Sequence, residues 1–232
     1  MIFLIKGLLV DLFGTIIPRP NIKRHKEFMR FMADKTGKDT DFVRYHWRYL
    51  YKRRITGADS SSGDFIRYFL DRIEAGNDEE LVKAIDSEWF RLTEDLMVFF
   101  DDVEPALKRL KEEGIRIGLF SNCGSNVPEI FESRPIFHLF DSVTYSSEEK
   151  MSKPDVEFFM RGCEMIGLPP SECAFIGDGD NDELQGSLET GLYTIKIDRK
   201  DGSGDYVIKP TPEWNPTVET FYEIFDLIMP RS

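Results

Sequence analysis

The sequence has 232 residues, of which 41% are hydrophobic and 31% are charged, and its net charge is −12 at pH 7. A chain of this size can bury one sizeable core and a smaller second module. The excess of acidic residues argues against a protein whose main role is to bind nucleic acid or an anionic membrane surface. The three cysteines fit no disulfide or metal-ligand spacing, so we expect a reducing compartment and interpret them as small core residues: Cys123, Cys163 and Cys173.

The first element predicted along the chain is a short strand. Residues 2–10 form a nearly continuous hydrophobic run, which is typical of a strand buried on both faces of a parallel sheet. Lys6 interrupts this run, which is too short to cross a membrane and leads directly into Asp11, so we do not interpret it as a signal peptide. No other segment approaches the length of a membrane span. We therefore expect a cytoplasmic protein.

Residues 18–97 contain no convincing strand and show several helical patterns. Hydrophobic residues recur at helical spacing in three stretches, at residues 27–32, 65–73 and 81–89. The segment begins near the Pro-Arg-Pro sequence at residues 18–20 and ends near residues 96–102. The sequence thus predicts an all-helical insertion between the first strand and the rest of a sheet.

One part of the insertion is basic and aromatic. Residues 42–58 contain five arginines and lysines interleaved with aromatic residues, and they contain no acidic residue. A solvated helix face is the default interpretation, and a surface that recruits an anionic substrate is the alternative. Alternating arginines and aromatic residues also occur in nucleic-acid-binding proteins. Because the rest of the chain is strongly acidic, we expect no nucleic-acid partner.

The remainder of the chain alternates between strand and helix patterns. The predicted strands lie at residues 115–120, 141–145, 173–177 and 193–197. Helical patterns between them end in Gly114, Gly167 and Gly191, and glycine is common just beyond a helix C-terminus. Strands that alternate with helices of this length predict an α/β fold with a mostly parallel sheet.

Polar segments follow four of the predicted strands. They read DLFGT at 11–15, SNCGS at 121–125, SKPD at 152–155 and GDGDND at 177–182. In an open parallel sheet, ligands bind beyond the carboxyl ends of the strands. The four segments therefore bring a carboxylate, a hydroxyl, an ammonium group and a carboxylate cluster to one edge of the sheet.

These four segments, in this order and spacing, resemble the haloacid dehalogenase (HAD)-like hydrolase superfamily, most of whose members are phosphatases. The resemblance covers essentially the whole chain, and the helical insertion looks like the cap domain of the family. It implies a Rossmann-like parallel sheet core flanked by helices, built from residues 1–17 and 98–232, with an inserted all-helical cap domain at residues 18–97.

The resemblance also implies an activity and the residues that perform it. We expect a Mg²⁺-dependent hydrolase that acts on a small anionic, phosphorylated metabolite. Asp11 would attack phosphorus to form an aspartyl-phosphate, and the transferring oxygens would be held by Thr15, Ser121, the Asn122 backbone amide and Lys153. Asp11, the Phe13 backbone carbonyl and Asp178 would bind Mg²⁺, and Asp182 would orient the ligand shell.

Phe13 departs from the pattern of the family's phosphatases. The residue two positions after the nucleophile is usually a second aspartate there, which protonates the leaving group and then activates water. Haloacid dehalogenases lack that aspartate, so a 2-haloacid dehalogenase is an alternative. Against it, a carboxylate cluster at residues 177–182 would repel Asp11 without a balancing cation, and dehalogenases need no metal. A catalytically weakened binding or regulatory protein is a third interpretation.

Overall fold

The computed structural model describes residues 5–20, 22–200 and 213–229. In this part of the chain, six strands form one parallel sheet with the order β3-β2-β1-β4-β5-β6. The strands are β1 Gly7–Val10, β2 Arg116–Ser121, β3 Ser142–Tyr145, β4 Cys173–Gly177, β5 Tyr193–Ile197 and β6 Thr217–Val218. The predicted α/β class is confirmed. Residues 2–4 of the first predicted strand lie outside the described residues.

Between β1 and β2 the described residues form six helices, and we call the first five the helical insertion. They are α1 Ile22–Thr36, α2 Thr40–Tyr49, α3 Tyr51–Ile55, α4 Ser62–Arg72 and α5 Glu79–Leu96. The insertion has a hydrophobic cluster of its own. Trp47 lies at its centre and makes edge-on ring contacts with Phe28, Phe65, Phe69 and Trp89.

The described residues form six further helices, which pack around the sheet: α6 Val103–Glu112, α7 Val127–Glu132, α8 Ser146–Glu149, α9 Val156–Ile166, α10 Glu183–Thr190 and α11 Ile224–Ile228. Successive side chains of a strand point to opposite faces of the sheet. Accordingly, Leu8 and Val10 join the cluster that contains Leu107 of α6, whereas Leu9 joins the cluster that contains Phe159 of α9. Helices therefore cover both faces of β1, which explains its continuous hydrophobic run.

The helical insertion contacts the sheet core at several points. The Ser146 hydroxyl donates to the carbonyl of Ile55 at 2.6 Å, and the Asn126 amide donates to the hydroxyl of Thr93 at 2.7 Å. At Gly57 a side chain has no room, because a Cβ atom there would lie 1.6 Å from the Ser147 carbonyl oxygen. The contacts of Ser146 and Gly57 hold the end of α3 against α8, and the contact of Asn126 joins α5 to the segment before α7.

The basic and aromatic stretch at residues 42–58 forms the end of the insertion nearest to these contacts. It covers most of α2 and all of α3. Val43 and Trp47 are buried, whereas Tyr45 and Tyr49 are exposed and their rings stack on each other. This part of α2 is therefore amphipathic, with one face in the insertion's own core and the other in solvent.

None of the helices within residues 5–20, 22–200 and 213–229 combines the length and the hydrophobicity that crossing a lipid bilayer requires.

We expect acid to destabilise the insertion through His25 of α1. Burial, together with the positive charges of Arg54, Arg48 and Arg44, lowers the pKa of His25 to about 4. In the unfolded chain its pKa is about 6.5. Between these two values the unfolded chain binds a proton that the folded protein does not bind. The stability conferred by the neutral ring is thus fully present above pH 6.5 and is lost as the pH falls towards 4, by at most about 3 kcal/mol.

Denaturant unfolding at pH 7 and pH 5 measures this effect. The parent should lose more stability between the two pH values than the variant His25→Gln, in which the titrating ring is absent. His138→Gln removes an exposed histidine of the core and serves as the control. Equal losses in the parent and in His25→Gln would contradict the assignment.

Candidate active site

The polar residues that follow the strands meet at the carboxyl edge of the sheet. Strand β1 lies between β2 and β4, so its last residues are flanked by the ends of both neighbours. In this arrangement Asp11 follows β1, Ser121 ends β2 and Asp178 follows β4. All three are buried, and Asp11 has a relative exposure of 5%. The structure thus brings together three of the residues that the sequence singled out.

A tight turn after β1 shapes the loop beside Asp11. The amide of Gly14 donates to the Ile17 carbonyl at 2.8 Å, and Phe13 forms a bridge with Ile17. Gly14 has a φ of +76°, and a Cβ atom there would lie 2.0 Å from Oδ2 of Asp178, so only glycine fits. The turn places the Thr15 hydroxyl where it donates to Oδ2 of Asp11 at 3.1 Å.

Lys153 is the buried cation of the site, with a relative exposure of 4%. Its ammonium group donates to Oδ1 of Asp11 and lies 2.7 Å from Oε2 of Glu183. Burial disfavours the charged ammonium, but the negative charges of Asp11 and Glu183 outweigh this effect and raise the pKa of Lys153. Lys153 is therefore charged at neutral pH and neutralises part of the site.

Asn122 fixes the backbone of Lys153. Its side-chain oxygen accepts the Lys153 amide at 2.8 Å, and its side-chain nitrogen donates to the Lys153 carbonyl at 3.0 Å. From the sequence we expected the backbone amide of Asn122 to contribute. The structure adds a role for the side chain, which ties the end of β2 to the loop that carries the lysine.

Ser121 presents an unpaired hydroxyl. Its side chain is fully buried, and within the described residues its Oγ atom has no hydrogen-bond partner. Leaving a buried hydroxyl without a partner costs about 1–3 kcal/mol. An oxygen of a bound anion at this position would accept the missing hydrogen bond.

Three carboxylates form the acidic cluster of the site: Asp11, Asp178 and Glu183. Their oxygen atoms lie within 4.8 Å of one another, and all three residues are buried. Burial raises the pKa of Asp11 above its ordinary value, Lys153 opposes this shift, and the charge of Asp178 adds to it. The site therefore carries an excess of negative charge that favours a bound cation.

Asp182 lies outside the acidic cluster, and this corrects the expectation from the sequence. Both Asn181 and Asp182 have left-handed backbone conformations, with φ of 52° and 58°. This kink turns Asp182 to the surface and brings the next residue, Glu183, into the site. Glu183 also accepts the amide of Gly179 at 3.0 Å. The sequence feature that accompanies this position of Glu183 is the glycine at residue 177. A Cβ atom at Gly177 would lie 2.2 Å from Oε1 of Glu183.

Arg19 is a second residue of the site that the sequence did not single out. It falls in the Pro-Arg-Pro sequence that we interpreted as a domain boundary. Its Nε atom donates to Oδ2 of Asp178, and its Nη2 atom lies 3.4 Å from the Asp178 carbonyl oxygen. The side chain is 22% exposed, so it lies at the mouth of the site rather than in its interior.

Phe13 contributes no ionisable group. Its side chain is partly buried and packs against the large hydrophobic cluster of the sheet core. Burial and the charges of Asp11 and Asp178 raise the pKa of Glu183 to about 8, and Asp180 is a second nearby acid with a raised pKa. Burial and the charge of Asp178 raise it to about 6. Asp180 accepts a hydrogen bond from the Asn181 side chain, which also donates to the Tyr51 hydroxyl of α3 at 3.2 Å.

The donor set fits a hard divalent cation such as Mg²⁺. Asp11, Asp178 and Glu183 offer carboxylate oxygens, which are the ligands that Mg²⁺ prefers. The three carboxylates face two cations, Lys153 and Arg19, and burial still raises the pKa of Asp11 and of Glu183. A divalent ion at this position would favour the charged form of the three carboxylates.

The fold and the site define a hydrolase whose catalytic core is a parallel α/β sheet with a helical insertion after its first strand. Residues 5–186 match the sequence model of the haloacid dehalogenase-like hydrolases, and the chain belongs to that family. The match spans β1, the whole insertion and the loop of Asp178 and Glu183. It thus includes every residue of the site.

Several curated relatives are phosphatases. The glyceraldehyde 3-phosphate phosphatase of Methanopyrus kandleri is 25% identical over 202 residues, which cover 84% of this chain and 85% of the relative. The N-acylneuraminate-9-phosphatase of Mus musculus is 26% identical over 176 residues, which cover 75% of this chain and 63% of the relative.

Many solved structures share the fold. A HAD-family enzyme of Bacteroides thetaiotaomicron, in complex with magnesium and inorganic phosphate, has a TM-score of 0.67 and 21% identity, and the match covers 84% of this chain and 94% of that one. A 2-haloacid dehalogenase of Pseudomonas syringae has a TM-score of 0.70 and 17% identity, and the match covers 97% and 98%. Since the fold is shared by an enzyme that binds magnesium and phosphate and by a dehalogenase, the fold alone does not determine the reaction.

Proposed function

We propose that the protein is a Mg²⁺-dependent phosphatase that acts on a small phosphorylated metabolite through an aspartyl-phosphate at Asp11. The observation that carries this proposal is the ion pair between Asp11 and the buried, charged Lys153. This pair lies within the cluster that Asp11 forms with Asp178 and Glu183. The lysine offsets the repulsion between the nucleophile and an anionic substrate. The cluster provides for a metal ion, which dehalogenase chemistry does not need.

Each residue has a role in this reaction. Asp11 attacks phosphorus with one carboxylate oxygen while the bond from phosphorus to the leaving-group oxygen breaks, and water then hydrolyses the aspartyl-phosphate to free phosphate. The Thr15 hydroxyl orients the other carboxylate oxygen. Lys153 and the unpaired Ser121 hydroxyl hold the transferring oxygens as negative charge develops on them. Asn122 keeps the Lys153 backbone in place and offers its own backbone amide to the phosphoryl group.

The metal site is proposed at Asp11, Asp178 and Glu183, together with the backbone carbonyl of Phe13. When bound, Mg²⁺ supplies charge stabilisation for the phosphoryl oxygens. Glu183 has two roles in this proposal: it is a metal ligand, and it positions the ammonium group of Lys153. Asp182 is exposed, so the proposed ligand shell does not include it.

Residues 18–97 are proposed as a cap domain over a core of residues 1–17 and 98–232. The contact of Tyr51 in α3 with Asn181 supports this division, because it places the insertion over the loop of Asp178. The cap then excludes water and selects the substrate. We propose a cytoplasmic enzyme, since its three free cysteines are all buried, with a small anionic substrate and no nucleic-acid partner.

An activity screen tests the proposal. The purified protein is offered a panel of phosphate esters, acyl phosphates and 2-haloacids, each with Mg²⁺ and with EDTA. We expect phosphate release that needs Mg²⁺ and no halide release. Halide release that is indifferent to EDTA would instead identify a dehalogenase, the alternative that Phe13 keeps open. Binding of phosphorylated ligands without any turnover would identify a weakened, regulatory member of the family.

Phe13 should make the rate depend steeply on the leaving group. A positioned general acid contributes about 10²–10⁴-fold, and alkoxide leaving groups need it most. Acyl and aryl phosphates depart as stable anions and need it least. Rates across a series of phosphates should therefore fall steeply as the leaving-group pKa rises.

The variant Phe13→Asp provides the comparison for this series, because it restores a carboxyl group at the position. We expect it to flatten the dependence on leaving-group pKa. If the parent hydrolyses simple alkyl phosphates as fast as aryl ones, another residue supplies the acid, and Asp180 is then the first to substitute.

A further inference from the structure

The guanidinium of Arg19 binds the carboxylate that the metal needs. Its Nε atom donates to Oδ2 of Asp178, while Oδ1 of the same carboxylate accepts the amide of Asp180 at 2.9 Å. Both oxygens of Asp178 are therefore engaged by donors. A guanidinium and a divalent cation repel each other, so both cannot be favourably placed at this carboxylate.

The turn after β1 is built to bring Arg19 to this position. The chain reverses between Leu12 and Ile17, and the stem of Arg19 then runs back over Gly14. A Cβ atom at Gly14 would lie 2.9 Å from Cγ of Arg19 as well as 2.0 Å from Asp178. The glycine thus makes room for the arginine and the aspartate together.

The two cations of the site differ in how firmly they are held. The Lys153 side chain is 3% exposed and is paired with two carboxylates. The Arg19 side chain is 22% exposed and is paired with Asp178 alone among the ion pairs of the described residues. Lys153 is therefore a fixed part of the site, whereas Arg19 can leave towards solvent without crossing a packed core.

We propose that Arg19 is a displaceable counter-ion: metal binding releases it from Asp178, and the released guanidinium then binds the anionic group of the substrate. The inference rests on the metal site under the proposed function. Because Asp178 and Asp11 lie within 4.8 Å of each other, a short swing of the side chain keeps the guanidinium beside the nucleophile. A planar guanidinium suits two oxygens of one phosphoryl group.

Two effects follow from this arrangement. The metal must compete with Arg19, so its apparent affinity is reduced by the small fraction of molecules in which Asp178 is free. The anion, in turn, gains a partner only after the metal has bound. Metal and anion binding are thereby coupled, and each ligand strengthens the binding of the other.

Calorimetric titrations of the full chain test the proposal with Mg²⁺ and inorganic phosphate as probes. In Arg19→Gln we expect Mg²⁺ to bind about tenfold more tightly than in the parent, because the competitor is gone. At saturating Mg²⁺, the same variant should bind inorganic phosphate at least about fivefold more weakly. Arg67→Gln is the matched control, since Arg67 pairs with Asp64 and Glu79 of the insertion, and it should change neither affinity.

The variant Arg19→Lys separates the effect of the positive charge from the effect of the planar guanidinium. Arg19→Lys keeps a positive charge but lacks the planar guanidinium, so its affinity for phosphate should lie between those of the parent and Arg19→Gln. Its Mg²⁺ affinity should lie between those of the parent and Arg19→Gln. Loss of phosphate binding in the lysine variant as severe as in the glutamine variant would overturn the anion-binding role.

Failure of this inference is distinguishable from failure of the metal site. If Mg²⁺ binds the parent and Asp178→Asn abolishes that binding, the metal site stands. Unchanged or weaker Mg²⁺ binding in Arg19→Gln would then overturn the role of Arg19 alone. If the parent binds no Mg²⁺, the proposed metal site and this inference fall together.

Discussion

Asp11→Asn should abolish phosphate release while leaving the fold intact. Asparagine keeps the shape of the side chain and can still accept a hydrogen bond from Thr15, but it lacks the negative oxygen that attacks phosphorus. Loss of a catalytic nucleophile typically costs about 10⁴-fold or more in turnover. Steady-state rates of the purified variant with its best substrate measure the effect.

The stability of the Asp11 variant should rise rather than fall. Burial opposes the charge of Asp11, and Asp178 repels it. Removing that charge removes both the cost of burying it and the repulsion from Asp178, although Lys153 loses one of its two carboxylate partners. A matched control is Asp155→Asn, which changes an exposed aspartate just before α9. Turnover in Asp11→Asn close to that of the control would sink the assignment of the nucleophile.

Lys153→Met should have the largest effect on stability. Lys153 bonds to Asp11 and Glu183 in the interior, and truncating one partner of a buried ion pair costs about 3–5 kcal/mol because the other charges are left uncompensated. Turnover should be lost as well, since no cation then holds the transferring oxygens. Denaturant unfolding in EDTA measures the first effect, with Lys108→Met, an exposed lysine of α6, as the control.

Adding Mg²⁺ should distinguish an electrostatic defect from a packing defect in Lys153→Met. A divalent cation supplies the positive charge that the variant lacks, so Mg²⁺ should stabilise the variant more than it stabilises the parent. If Lys153→Met is as stable as the parent in EDTA, or if Mg²⁺ stabilises both equally, Lys153 is not the main counter-charge of the cluster.

The sequence predicted the sheet, and it predicted which polar residues lie at one edge of it, for a physical reason. Each buried strand shows as a hydrophobic run, and the residue that follows it must lie at the carboxyl edge of the sheet. That reasoning places Asp11, Ser121 and Asp178 together without knowledge of any distance. It also finds β4 and β5 with their observed bounds. It does not find β6, because two residues carry no recognisable period.

The parts that the sequence did not predict depend on backbone conformation within loops. Asp182 and Glu183 are adjacent acids, and only the left-handed kink at residues 181 and 182 decides which of them faces the site. In the sequence, Arg19 has the character of a linker residue. Only the turn at Gly14, which folds the chain back on itself, brings Arg19 to Asp178. Hydrophobic periodicity reveals neither the kink at residues 181 and 182 nor the turn at Gly14, because it reports the positions of strands and helices and not the conformation of turns.

Detection of a phosphoryl group on Asp11 is the most direct test of the proposed mechanism. The protein is mixed with acetyl phosphate and Mg²⁺, quenched in acid within the first turnover, and digested for mass spectrometry. Because Phe13 removes the usual base for hydrolysis, the aspartyl-phosphate should accumulate on the peptide that contains Asp11. It should be absent with EDTA and in Asp11→Asn. Steady phosphate release with no label on that peptide at any time, or a label on another residue, would contradict the account.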